Sequence, residues 1–148
     1  MSLSFINIFL LTLFITPLNI SLAKKCFLSA KYEVHVINKL STNAPKLRVH
    51  CASKDDDLGN NYLPIGGDLN WSFCESFFDQ TLYFCHFWWG SKDKAFDVFN
   101  YAPYCVKDAK VANYLKYCKW EVRNDGFYLE KYNETSKTYY MDRYTQWP

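Results

Sequence analysis

Three successive carboxylates, Asp55, Asp56 and Asp57, lie in the stretch His50-Cys51-Ala52-Ser53-Lys54-Asp55-Asp56-Asp57-Leu58-Gly59, beside an imidazole and a thiol. Oxygen ligands at that density suit calcium, and an imidazole next to a cysteine suits zinc or nucleophilic catalysis. Each of these chemistries sets a demand on spacing. An EF-hand loop needs glycine at its sixth position and a bidentate glutamate at its twelfth. Counted from Asp55, those positions hold Asn60 and Gly66, so the loop does not fit. A looser calcium site shared with Asp68 or Asp79 stays open on the sequence. The expectation is a solvated turn whose carboxylates cap backbone amides.

The remaining chemistry-bearing residues fare similarly. His50-Cys51 and Cys85-His86 are adjacent pairs and lack the gap of two to four residues that structural zinc sites use. No Gly-x-Ser-x-Gly elbow or glycine-rich phosphate loop is present. His86, in Cys85-His86-Phe87-Trp88-Trp89, has no second histidine box with which to share acid and base roles in a ribonuclease. The reading is therefore of no catalytic residue, no resident metal and no cofactor. Adjacent aromatics such as Trp88-Trp89 and Tyr139-Tyr140 point to opposite faces of a strand, so at least half of them belong to the core. The net charge of +2 is small and well mixed along the chain, which argues against nucleic acid or an anionic membrane surface as partner.

The context of these residues is set by the N-terminus and the cysteines. The first 23 residues carry no charged side chain, and Ile6 to Ile15 is nearly all apolar. That run falls short of the roughly 20 residues a spanning helix needs, and it suits the core of a secretory signal. Ser21-Leu22-Ala23 predicts cleavage after Ala23, leaving one domain over residues 24–148; a buried N-terminal helix is the competing reading. No later stretch is long and apolar enough for membrane insertion. All six cysteines, Cys26, Cys51, Cys74, Cys85, Cys105 and Cys118, follow the cleavage site, and an even count in a short secreted chain predicts a disulfide framework.

The elements that position them read mostly as strands. Val34 and Val36 alternate with Glu33 and His35, and Leu47, Val49 and Cys51 with Arg48 and His50, the period of half-buried strands. In this reading His35 and His50 face outward on neighbouring strands. Ser53 to Gly67 reads as a long loop with a short extended piece at Tyr62 to Ile65. Leu69, Trp71 and Phe73 mark a third strand. Thr81 to Trp89, apolar on both faces, predicts a central strand covered on both sides, and Lys94 to Phe99 returns beside it. Val106 to Leu115 predicts two or three helical turns between Cys105 and Cys118. Cys118 to Arg123 and Phe127 to Glu130 flank Asn124-Asp125-Gly126, a hairpin signal, and a last strand lies near Thr138 to Met141. Seven or eight short strands describe an all-β antiparallel sandwich or barrel, with a small disulfide-stapled α+β domain as the alternative. Two N-glycosylation acceptors occur, Asn133-Glu134-Thr135 and Asn70-Trp71-Ser72. The strand position of Asn70 makes Asn133 the better candidate.

Leu47-Arg48-Val49-His50-Cys51, followed by Ser53-Lys54-Asp55-Asp56-Asp57-Leu58-Gly59, Trp71-Ser72-Phe73, Thr81-Leu82-Tyr83-Phe84-Cys85 and Cys118-Lys119-Trp120, resembles the plant self-incompatibility S-protein homologues. The resemblance runs from Val34 to Trp120. It implies a secreted, extracellular β-sandwich that acts as a recognition or signalling ligand for a plant cell-surface receptor or membrane protein, as a monomer rather than as an enzyme. The alternative is a secreted defence protein or hydrolase inhibitor directed at a pathogen. Cys51, Cys85, Cys105 and Cys118 fit the family positions, while Cys26 and Cys74 are additional. The resemblance therefore implies a Cys26–Cys74 bridge, with Cys51–Cys118 and Cys85–Cys105 as the other two. For a ligand that carries specificity on loops, the segments to inspect are Lys39 to Lys46, Asn60 to Asp68 and Val106 to Lys116.

Overall fold

A computed structural model of the chain describes residues 26–78, 80–109 and 116–148. In chain order the strands are β1 (Lys31–Asn38), β2 (Leu47–Ala52), β3 (Asp57–Leu63), β4 (Asp68–Cys74) and β5 (Tyr83–Trp89), then β6 (Lys92–Phe99), β7 (Tyr117–Arg123), β8 (Gly126–Asn133) and β9 (Thr138–Thr145). They make a five-stranded sheet ordered β4-β1-β7-β8-β9 and a four-stranded sheet ordered β3-β2-β5-β6. Alternation along the strands creates the two inner faces. Val34 and Val36 of β1, Trp120 and Val122 of β7, and Val49, Cys85 and Phe87 of the other sheet are buried, while their neighbours in sequence turn outward.

Aromatic side chains knit the faces together. Phe96 of β6 lies 5.3 Å from Trp120 and 5.0 Å from Phe127 between ring centres, and Phe73 lies 4.7 Å from Tyr83. The Trp120 indole N–H donates to the Val98 carbonyl of the opposite sheet at 3.0 Å, so the one polar atom of a buried ring is used. Full burial of an aromatic side chain of this size contributes about 2 to 3 kcal/mol.

Several expectations change. β1 and β7 pair in parallel, Val36 opposite Trp120, although their neighbours are antiparallel; alternation reports which face is buried and not which way the neighbour runs. The loop expected over Ser53 to Gly67 contains β3, an edge strand whose residues are exposed or half-buried except Leu63, which leaves no apolar contrast to read. β5 is central in its sheet but covered on one face only: Phe84 remains 42% exposed, and Trp88 is shielded instead by the Arg48 guanidinium 3.8 Å over its ring and by His86 stacked at 3.7 Å. His35 and His50 lie in different sheets, and the residue opposite His50 is His86. Between Cys105 and Cys118 the described residues hold a 3₁₀ turn, Lys107–Ala109; the rest of the expected helix lies outside them, as does the expected signal segment.

The bridges are Cys26–Cys74, Cys51–Cys85 and Cys105–Cys118. The Cys51–Cys118 and Cys85–Cys105 pairing is not the one found. The reason is register: β2 and β5 place Cys51 directly opposite Cys85, with Cα atoms 4.1 Å apart.

The two ends of the sandwich differ. At one end, the closed end, lie the connections β1–β2, β3–β4, β5–β6 and β7–β8, with Asn38, which is 1% exposed, bonded to the first two. Its side-chain amide donates to the Leu63 carbonyl at 2.9 Å, and its Oδ1 accepts from the Leu40 N–H at 2.9 Å. Its backbone exchanges bonds with Gly66 and Gly67. Every polar group of this buried residue is thus paired, as burial requires. Asn124 Oδ1 accepts from the Ser41 N–H, and Trp147 folds back to donate to the Arg123 carbonyl. At the opposite, open end lie Cys26–Cys74, the β2–β3 turn and the longer β4–β5 and β6–β7 connections.

Candidate functional site

The acidic triplet sits at the open end, between β2 and β3, and its three carboxylates do different things. Ser53 organises the turn: its Oγ accepts from the backbone N–H groups of Asp55 and Asp56 at 3.3 and 3.0 Å, and its own N–H donates to the Asp56 carbonyl at 2.7 Å. Asp57 Oδ1 accepts from the Gly59 N–H at 2.8 Å and meets His50 Nε2 at 2.6 Å. The Gly59 amide first, and His50 second, hold its carboxyl below the usual range. Asp56 Oδ2 accepts from the Tyr83 hydroxyl at 2.7 Å. Burial, and then that bond, push the Tyr83 phenol up to about 12. Asp55 is exposed.

The backbone capping expected of the carboxylates is thus done by Ser53 and Asp57. Asp56 and Asp57 are aimed at different partners, and Asp68 is bonded to His35 Nδ1 at 2.7 Å. Asp79 lies outside the described residues. No group of three or more metal-ligating side chains occurs among the described residues.

Behind the turn lies a cleft of about 420 Å³. Ser53 to Asp56 form one wall and Gln80 to Phe84 the other, with Phe73 and Cys74 below. A second cleft of about 390 Å³ shares Ser76, Gln80 and Thr81 with the first and continues to Tyr101, Pro103 and Lys107. Gln80 holds the two connections together by donating to the Asn100 carbonyl.

Large apolar side chains stand exposed at this end, and Phe77 and Phe78 line the second cleft. Phe78 is 98% exposed, Phe77 65%, Phe27 85% and Leu28 80%. The Cys26–Cys74 bridge brings the two dipeptides to the same end, reinforced by the Glu75 N–H donating to the Ala30 carbonyl at 3.0 Å. Leu28 has a φ of 70°, a conformation that costs a non-glycine residue energy and is found where the surroundings impose it. Scattered single hydrophobes on a surface need no account, whereas a contiguous group at one end marks a contact surface.

Of the segments singled out from sequence, Lys39 to Lys46 belongs to the closed end, and Asn60 to Leu63 lies within β3. Only Val106 to Lys116 belongs to the open end, and of it Val106 to Ala109 and Lys116 are described. Asn133 is exposed at the end of β8, its Oδ1 accepting from the Thr135 and Ser136 N–H groups. Asn70 is exposed on the edge strand β4. Sequence reasoning passed over Phe77-Phe78. The available signal was a Phe pair set in polar surroundings, Glu75-Ser76 before it and Asp79-Gln80 after it.

The family of plant self-incompatibility protein S1 matches residues 33–144. The chain is similar to S-protein homolog 2 of Arabidopsis thaliana, 33% identical over 82% of this chain and 83% of that protein. It is 32% identical to self-incompatibility protein S1 of Papaver rhoeas over 65% of this chain and 66% of that protein. With S-protein homolog 21 of Arabidopsis thaliana it shares 29% identity over 92% and 98% of the two chains. No solved structure matches.

Proposed function

Because this chain belongs to the plant self-incompatibility protein S1 family, we propose that it is a secreted recognition ligand that binds a plant cell-surface protein through the loops at one end of its sandwich. The observation that carries this reading is the open end itself, where exposed Phe77 and Phe78 line one of two adjoining clefts and the Cys26–Cys74 bridge brings exposed Phe27 and Leu28 to the same end. Interfaces place aromatic anchors at their centre, and rigid scaffolds carry them on loops. Three disulfides suit an oxidising extracellular compartment. In this reading residues 1–23 are a leader removed after Ala23, Asn133 and secondarily Asn70 carry glycans, and the mature protein acts as a monomer.

The test is saturable binding of the labelled, oxidised protein to intact plant cells, followed by crosslinking. Saturable binding with a discrete crosslinked membrane protein is the expected result. Growth inhibition of a pathogen without saturable binding to plant cells would replace this reading with a defence role.

A further inference from the structure

We infer that the open end docks a partner segment carrying a Lys or Arg flanked by apolar side chains, a basic–apolar peptide rather than a lipid surface or an acidic one. This deepens the reading above and rests on it only for the existence of a protein partner.

The apolar side chains of the partner segment are matched by shape. Phe77 and Phe78 protrude from the β4–β5 connection, and Phe84 is 42% exposed where β5 begins. The cleft behind the acidic turn has an aromatic floor formed by Phe73 and Tyr83. A segment laid along this end meets rings on both sides, and its apolar side chains have about 420 Å³ to enter.

Its charge is matched by what the rings are interleaved with. Asp55 and Asp56 line the first cleft and Glu75 the second. None of these three carboxylates is ion-paired with a Lys or Arg of the described residues, and Asp56 uses one oxygen on the Tyr83 hydroxyl. Against them stand the ammonium groups of Lys54 and Lys107. The outward face of the five-stranded sheet differs: Lys119, Arg123 and Lys131 each sit on a carboxylate, Glu130, Glu121 and Asp142. Carboxylates that form no ion pair with a described Lys or Arg, three against two ammonium groups, beside exposed aromatic rings favour a cation twice, through charge and through the ring faces. The same carboxylates repel the anionic headgroups that aromatic tips would enter on a membrane, which decides between the two occupants.

The test is selection from a displayed library of random dodecapeptides on the immobilised, oxidised protein, followed by affinity measurement on synthetic peptides. Selected peptides are expected to hold a Lys or Arg within three residues of a Leu, Phe, Tyr or Trp. Replacing that base by Gln should weaken binding at least tenfold. Phe77→Ser/Phe78→Ser should do the same, and Asp55→Asn/Glu75→Gln at least fivefold, with melting temperatures unchanged. Should a variant fail to keep its melting temperature, the peptide's own Lys→Gln change still decides the matter. The inference is overturned if no peptide is enriched, if the enriched peptides are acidic or uncharged, or if affinity survives the Phe changes. It is also overturned if the protein floats with phosphatidylcholine–phosphatidylserine vesicles and loses that in Phe77→Ser/Phe78→Ser. Cell binding separates the two levels: absence of binding by the unaltered protein removes the receptor reading, whereas equal binding by the unaltered and Phe-substituted proteins removes this inference and the assignment of contact to the open end while leaving a receptor in place.

Discussion

The closed and open ends of the sandwich are built from the same strands, yet they spend their polar and apolar groups in opposite ways. At the closed end Asn38 is buried with all its groups bonded, Leu40 is 2% exposed, and Trp147 returns to the core at 5%. At the open end Phe78 is 98% exposed, and neither Asp55 nor Glu75 is ion-paired with a Lys or Arg of the described residues. A chain selected only for stability would bury the first kind of group and pair the second. The difference teaches that one end maintains the fold while the other is left available for contact, and substitutions at each end should separate accordingly.

The largest effect is expected at Gly126, the first residue of β8. Its φ is 151°, and a Cβ there would collide with the Thr145 carbonyl oxygen. Gly126→Ala should cost on the order of 4 kcal/mol, from backbone strain plus overpacking, read as a lowered urea midpoint. Next is Asn38→Ala, which strands the Leu63 carbonyl and the Leu40 N–H in a buried setting. About 3 kcal/mol is expected, and an unchanged midpoint would show that the closed end does not depend on this residue.

The open end should respond more weakly. Cys26→Ser/Cys74→Ser releases a bridge spanning 48 residues and should cost about 2 kcal/mol. Hydrogen exchange should rise at Glu75 and Lys31, near the bridge, and not at Asn38. If exchange rose equally at both ends, the division between them would fail.

A smaller, pH-dependent effect probes the cleft floor. Burial first and the Asp56 bond second push the Tyr83 phenol from 10.0 up to about 12. The unfolded chain loses that proton near pH 10, so the contribution is complete below pH 10 and is lost as pH rises towards 12. Tyr144, also raised by burial and by Asp108, acts in the same direction. The urea midpoint should therefore fall between pH 10 and 12, less steeply in Tyr83→Phe. The smallest effect is for Phe77→Ser/Phe78→Ser, expected to change stability by less than about 0.5 kcal/mol, since neither ring is buried.

How far the sequence reaches follows from what each signal encodes. Strands with one apolar and one polar face, such as β1, β2 and the β7–β8 hairpin, are legible because alternation is a property of a single strand. β3 is not, because Asn60, Asn61 and Tyr62 lie on an edge where neither face is strongly apolar. The parallel β1–β7 pairing and the Cys51–Cys85 bridge both depend on register between strands distant in sequence. No local spacing records that. The acidic triplet was visible as a turn, but its division of labour was not, since Asp56 meets Tyr83 only once β5 lies beside β2. The aromatic rim was hidden for a related reason: Phe77-Phe78 reads as core until the connection carrying it is seen to run outside both sheets.

The account's central claim is that contact is made by the open end, and the most direct measurement compares saturable binding to intact plant cells between two variants of equal stability. One is Phe77→Ser/Phe78→Ser at the open end; the other is Lys46→Ala/Ile65→Ser, at exposed positions of the closed end. The account predicts at least a tenfold loss of affinity for the first and a change of less than twofold for the second. Undiminished binding of the first, or loss confined to the second, would contradict it.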